Sequence, residues 1–182
     1  MDAESALRRL MEGNARYVGG RSSGDFSGRR RRELAEGQAP FAVVIACSDS
    51  RVVPEAVFSA GLGDIFVIRT AGNTAGPDVL ASAWYAADHL RVPLIVVLGH
   101  IGCGAVSAAL QGHGGGPMGD TVRRISANIG GERDPIIAAE INARRTAEAV
   151  REAVPGTAVA AAVYDTAGGG VRFLLQDDAK PL

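Results

Sequence analysis

Residues 41–51 read Phe41-Ala42-Val43-Val44-Ile45-Ala46-Cys47-Ser48-Asp49-Ser50-Arg51: an unbroken apolar run gives way at once to a thiol, a carboxylate and a guanidinium. The run lacks the alternation of a strand with one wet face. It predicts a strand over 41–46 buried on both sides, as in the centre of a parallel sheet. A second run, Leu94-Ile95-Val96-Val97-Leu98, repeats the pattern and leads into Gly99-His100-Ile101-Gly102-Cys103. In open α/β sheets ligands bind beyond the carboxyl ends of the strands. The two runs therefore deliver Cys47, Asp49, Arg51, His100 and Cys103 to one edge, where chemistry is expected.

Outward from these strands the chain alternates between helical and extended segments. Leu7, Leu10, Met11, Tyr17 and Val18 recur near a helical spacing with charges between them, an amphipathic helix over 3–17 that Gly19-Gly20 ends. Residues 22–25 form a linker, and 29–36 a short polar helix stopped at Gly37. Pro54 opens a further helix. Residues 65–68 are a strand and 69–73 a loop of small and turn-forming residues. An Ala-rich helix over 78–90 carries Trp84, Tyr85 and His89, and Pro93 stops it ahead of the next strand. Helices are expected over 103–110, 121–129 and 135–150, with the glycine-rich 112–119 as a mobile loop. Residues 158–164 and 171–175 close the chain as a hairpin across Thr166-Ala167-Gly168-Gly169-Gly170. The pattern predicts one α/β domain over 1–182. It has an N-terminal helical arm, 1–37, and a core, 38–182, whose mostly parallel central sheet has flanking helices and an antiparallel edge strand.

Composition narrows the function classes. With 182 residues and 47% hydrophobic content, the chain can close one core. Its formal net charge is −1 with the signs mixed, so there is no basic field for nucleic acid. The run Arg29-Arg30-Arg31-Arg32 is local and reads as a solvated helix face. Two cysteines do not make a disulfide framework. The first residues, MDAESALRRLMEGN, hold early acidic groups and no apolar leader core, and no segment has the length of a membrane span. The expectation is a cytoplasmic protein in a thiol-reducing setting, with no nucleic acid and no membrane among its partners. The glycine cluster at 112–117 lacks the order of a dinucleotide fingerprint and is a weak signal for phosphate.

Catalytic zinc often takes three protein ligands and leaves a fourth position open to water. Cys47, His100 and Cys103 supply such a set, and together they use both cysteines of the chain. Taken singly, a cysteine is a small buried hydrophobe and a histidine a satisfied core residue; three of them after two buried strands point instead to a metal. Two thiolates and a neutral imidazole cancel the charge of zinc, so a water there is harder to deprotonate than on an all-histidine site, where its pKa is about 7. Asp49 can help by accepting a hydrogen bond from that water, provided it is ionised and kept off the metal. Arg51 can clamp the carboxylate with paired charge-assisted bonds, a geometry lysine does not reproduce. The plainer alternative for the pair is a turn aspartate and a surface arginine.

At these residues the sequence resembles the β-class carbonic anhydrases. The resemblance lies in Cys47-Ser48-Asp49-Ser50-Arg51, in Pro54-Glu55 with Phe58, in the block from Gly63 to Asn73, and in Gly99-His100 with Cys103-Gly104-Ala105. Weaker similarity covers Leu7 to Tyr17, Glu140-Ile141-Asn142 and Val163-Tyr164-Asp165. It implies reversible hydration of carbon dioxide to bicarbonate by a zinc-bound hydroxide, with one Zn2+ per chain on Cys47, His100 and Cys103. Asp49 and Arg51 form a dyad beside it, and Asp49 becomes a fourth ligand in a closed state. It further implies substrate contacts from Gln38, Phe66, Tyr85 and the Gly104 amide, the first three from a neighbouring subunit in a homodimer or higher even homo-oligomer. His89, one turn after Tyr85, is a candidate proton relay or a plain surface histidine.

The chain departs from the family between Cys103 and Glu140, where the glycine-rich loop replaces a segment with a Trp-Leu helix, so packing beyond the dimer stays open. Members inhibited cooperatively by bicarbonate carry tryptophan three residues before the first cysteine; Val44 stands there, which implies an open site near neutral pH. The apolar stripe of the first helix needs burial on its own sheet or, across the Gly/Ser linker, on a partner, and the resemblance favours the partner. Two other readings share these residues. One is a carbon disulfide or carbonyl sulfide hydrolase on the same scaffold; the other is a non-catalytic zinc-binding interaction protein in which Asp49 fills the fourth position permanently.

Overall fold

The computed structural model describes residues 1–174. Helix α1, Ala3–Val18, starts at Asp2, whose carboxylate accepts from the Ser5 N–H as an N-cap does. Helix α2, Gly28–Glu33, is capped in the same way by Ser27 and ends three residues before the expected boundary. Strand β1, Ala42–Cys47, follows, and Cys47 is its last residue. Then come the short helix α3, Pro54–Val57, and strand β2, Ile65–Thr70, which runs two residues further than the sequence suggests. A single 3-10 turn, Ala71–Asn73, takes the place of the expected loop. Helix α4, Pro77–Trp84, passes into a π-helical turn over Tyr85–His89, so the segment read as one α-helix changes its winding at Tyr85. Strand β3, Leu94–His100, carries the histidine inside the sheet rather than after it.

Helix α5, Gly104–Leu110, has Cys103 as its N-cap. A 3-10 turn at Gly116–Met118 lies within the exposed glycine-rich segment, ahead of helix α6, Gly119–Ile129, and helix α7, Pro135–Ala153. Strands β4, Ala158–Tyr164, and β5, Val171–Phe173, complete the fold. The expected end of the last strand at Leu175, like the rest of 175–182, lies outside the described residues.

The strand order is β2-β1-β3-β4-β5, with parallel pairs throughout except β4 with β5. This is the mostly parallel α/β sheet that the two apolar runs predict, with the antiparallel edge expected from the closing hairpin. Every residue of β1 and β3 is buried, because helices cover both faces. One face, bearing Val43, Ile45, Ile95 and Val97, packs under α4 and α7. The other, bearing Val44, Ala46, Val96 and Leu98, packs under α1 and α3. A third cluster, formed by Val106, Ile125 and Ala138 around Cys47 and Cys103, closes the carboxyl edge.

Part of the α1 stripe packs on its own sheet, while Met11 and Val18 stay more than half exposed. Ala6 and Leu10 are fully buried in the second face, and burial of a leucine contributes about 2 kcal/mol. A Cβ at Gly13 would lie 1.9 Å from the Phe58 carbonyl oxygen, so only glycine permits this approach. Asn14 seals the contact by donating to the carbonyls of Val57 and Gly169 and accepting from the Val171 N–H. Among the described residues, no helix is long and apolar enough to cross a membrane.

Candidate metal centre

Parallel pairing sets the site. Ala46 lies opposite Leu98, which puts Cys47 and His100 within a residue of the same level at the carboxyl edge. His100 is still paired, opposite Tyr164, and is fully buried. The chain then turns and presents Cys103 at the start of α5. The Cys47 and Cys103 sulfurs are 3.9 Å apart, and the donor atoms of Cys47, His100 and Cys103 all lie within 4.8 Å of one another. A disulfide needs about 2.05 Å. Two thiolates on tetrahedral zinc, each at about 2.3 Å, lie about 3.8 Å apart, which is close to what is observed.

The imidazole is prepared in the same sense. His100 Nδ1 lies 3.1 Å from the Ile101 carbonyl oxygen, which can only accept, so the proton sits on Nδ1 and the lone pair on Nε2. Nε2 is buried and has no hydrogen-bond partner among the described residues. An unmet polar atom in the interior costs about 1–3 kcal/mol, and a cation between the two sulfurs and Nε2 would meet it. The donor set and its spacing fit zinc.

The two thiols are electrostatically unequal. Cys47 is pushed down to about 4, chiefly by the hydrogen bond from the Cys103 thiol; burial opposes the shift, while the N–H groups of Asp49 and Gly72 assist it. Those two N–H groups each lie 3.4 Å from the Cys47 sulfur. Cys103 is pushed up by the neighbouring Cys47 sulfur and by burial. The pair thus gives up one proton readily and holds the other, and a divalent cation is the charge that would release it.

Asp49 stands beside this cluster in the grip of Arg51. Arg51 Nε donates to Oδ1 at 3.0 Å, Nη2 to Oδ2 at 2.8 Å, and its backbone N–H to Oδ1 at 2.9 Å. This fork holds the carboxyl well below the usual carboxylate range. Oδ2 is 4.0 Å from His100 Nε2, near the donors but turned to the guanidinium. Arg51 Nη2 also donates to the Gly102 carbonyl, tying the dyad to the turn before Cys103.

The structure brings Cys47, His100, Cys103, Asp49 and Arg51 together, with Gly104 next in the chain to the last sulfur. It keeps Gln38, Phe66, Tyr85 and His89 apart from them. Gln38 is exposed four residues ahead of β1, and the strand from Ala42 to Cys47 itself spans about 17 Å. Phe66 pairs with Val43 while Cys47 pairs with Thr70, so Phe66 sits four residues, about 13 Å, below the centre. Tyr85 lies 6.4 Å from the Phe66 ring and stacks on His89 at 5.2 Å.

Arg69, which the sequence pattern puts in a loop with no assigned role, lies at the carboxyl end of β2 beside the site. Its Nε donates to the Cys47 carbonyl at 3.0 Å and its Nη2 to the Asp49 carbonyl at 2.6 Å, holding the turn that carries both side chains. An arginine at the carboxyl end of a strand beside the site was the available signal. Asn142 was missed as well; it is a fully buried amide on the alanine-rich face of α7.

A family model described as carbonic anhydrase matches residues 42–169. Carbonic anhydrase 2 of Mycobacterium tuberculosis is 47% identical over 131 residues, which cover 69% of this chain and 63% of that relative. The carbonic anhydrase of Mycolicibacterium smegmatis is also 47% identical, over 69% of this chain and 64% of its own. The match therefore spans under two thirds of these relatives' length. Among solved structures, a β-carbonic anhydrase of Aspergillus fumigatus superposes with a TM-score of 0.72 at 29% identity, covering 98% of this chain and 92% of that one. A tetrameric β-carbonic anhydrase of Sordaria macrospora gives 0.69 at 27% identity, covering 93% and 97%. With a family match over most of the core and a shared fold across nearly the whole length, the chain belongs to the β-class carbonic anhydrase family.

Proposed function

We propose that this chain catalyses the reversible hydration of carbon dioxide to bicarbonate and a proton, at one zinc ion per chain held by Cys47, His100 and Cys103. The observation that carries this reading is the convergence of two thiols and a partnerless imidazole nitrogen beside a carboxylate already engaged by Arg51. When bound, zinc supplies the Lewis acidity that makes hydroxide available as a nucleophile. Asp49, kept ionised by Arg51, accepts a hydrogen bond from the reacting water and aims its lone pair at the carbon. The Gly104 N–H, at the first turn of α5, donates to the oxygen on which negative charge develops. The fork on Asp49 favours an open fourth position over permanent ligation by its carboxylate, and hence catalysis over a purely structural metal. Free buried thiols at both cysteines suit a reducing, cytoplasmic setting. Side-by-side assays on zinc-loaded protein are expected to give rapid turnover of carbon dioxide and far slower turnover of carbonyl sulfide and carbon disulfide. The reverse order would overturn the substrate assignment.

Gln38, Phe66 and Tyr85 are assigned to the pocket of a neighbouring subunit in a homodimer or larger even assembly. Their distance from the centre of their own chain and the 43% exposure of Tyr85 support this reading, as does the tetrameric state of the Sordaria macrospora relative. Mixing a Cys47→Ser chain with a Gln38→Ala, Tyr85→Ala chain is expected to restore activity above either parent, because one site of each mixed dimer is then complete. No recovery despite demonstrated subunit exchange would show that each chain serves its own site.

Val44 is fully buried on the α1 face of the sheet and offers no indole to line a second anion pocket. Inhibition by bicarbonate is therefore expected to be hyperbolic. A sigmoidal inhibition curve in stopped-flow measurements would contradict this.

A further inference from the structure

Asn142 lies on α7 with no exposed surface, among Ala138, Ala139, Ala143 and Ala147. A buried amide is costly unless its polar atoms are paired, and here both are. Its Nδ2 donates to the Gly72 carbonyl at 2.9 Å, and its Oδ1 accepts from Asn128 Nδ2 at 2.9 Å. The Gly72 carbonyl has no hydrogen to give, so the amide can point only one way. Gly72 N–H in turn donates to the Cys47 sulfur at 3.4 Å. Gly72 has φ 68°, and a Cβ there would meet Ile125 Cδ1 at 2.6 Å and Ala105 Cβ at 3.1 Å. The turn is thus confined by packing, and Asn142 holds it by its carbonyl.

We propose that Asn142 is a positioning residue for the metal ligand Cys47, acting through Gly72 to hold a backbone N–H on the sulfur and tying the centre to α6 and α7. The inference rests on the zinc reading above. An apolar residue at 142 leaves the Gly72 carbonyl buried without its donor, and the turn rotates to find another. The N–H then leaves the sulfur, and the thiolate becomes more electron-rich and less firmly placed. Partners that orient metal ligands in this way are worth 10–100-fold in metal affinity.

The test compares the parent with Asn142→Leu, Asn128→Ala and Val150→Ala. Val150 is buried on the same helix, outside the network, and serves as the packing control. Zinc affinity is read by chelator competition, and cobalt(II) substitution gives the sulfur-to-metal charge-transfer band. Asn142→Leu is expected to weaken zinc binding by about 10–100-fold and to move the cobalt band to longer wavelength. Val150→Ala should lower stability while leaving both readouts at parent values. Parent-like affinity and band position in Asn142→Leu would overturn the proposal. Should that variant fail to fold, Asn128→Ala decides: a smaller change in the same direction supports the role, and no change overturns it. A parent chain that takes up neither metal would overturn the zinc reading itself, and the inference with it.

Discussion

Cys103→Ala is expected to leave a folded chain that purifies without zinc and hydrates carbon dioxide no faster than buffer. Apparent binding free energies for structural zinc are about 10–16 kcal/mol over four ligands, so the loss of one thiolate removes about 3 kcal/mol, or roughly 10²- to 10³-fold in affinity. Cys47 and His100 remain, but two ligands do not define a tetrahedron. The fold itself loses only a small buried side chain at the start of α5, a cost near the average of about 1 kcal/mol for a point substitution. Metal content by atomic absorption and turnover by stopped flow are the readouts. Full occupancy and full activity in this variant would remove Cys103 from the ligand set.

Arg51→Ala should act through Asp49 rather than through the metal ligands. The carboxylate would lose both side-chain bonds of the fork and keep only the backbone N–H at residue 51. Its Oδ2 already lies 4.0 Å from His100 Nε2, so a rotation brings it among the donors, where it would compete as a fourth ligand. Turnover at neutral pH is expected to fall by about 10²-fold or more, the range for loss of a positioned acid–base group, with zinc retained. Asp49→Ala should likewise keep its zinc, and its loss of rate should come from poor orientation of the water. The arginine shift has the same logic: with the guanidinium present, Asp49 stays ionised well below the ordinary carboxylate range, so its role persists throughout the neutral and mildly acidic range. Normal turnover in Arg51→Ala would contradict the clamp.

The framework of this site is legible in the sequence because parallel strands are buried on both faces and end abruptly. Residues 41–46 and 94–98 have no alternation, so their pairing at the centre of the sheet and the convergence of Cys47, His100 and Cys103 at one edge follow from pattern alone. The one-residue details did not follow. His100 belongs to β3 because β4 continues beside it as far as Tyr164, and that pairing depends on residues more than 60 positions away. The π-helical turn at Tyr85 leaves no mark in composition, since Ala-rich sequence suits either winding. The seating of Ala6 and Leu10 on their own sheet goes with Gly13 meeting the Phe58 carbonyl, a long-range close approach that helical periodicity does not encode. Asn142 and Arg69 were hidden for the opposite reasons: one is a polar residue inside an apolar stripe, the other a charge at a strand end, and each acts through the backbone of a distant turn.

Metal-free chain titrated with zinc, with carbon dioxide hydration followed by stopped flow at each addition, joins the ligand set to the reaction in a single experiment. Activity should rise in proportion to added zinc and stop rising at one ion per chain, with bicarbonate and a proton as the products. A chain that binds one zinc ion and shows no hydration above buffer at any point of the titration would contradict the proposed function.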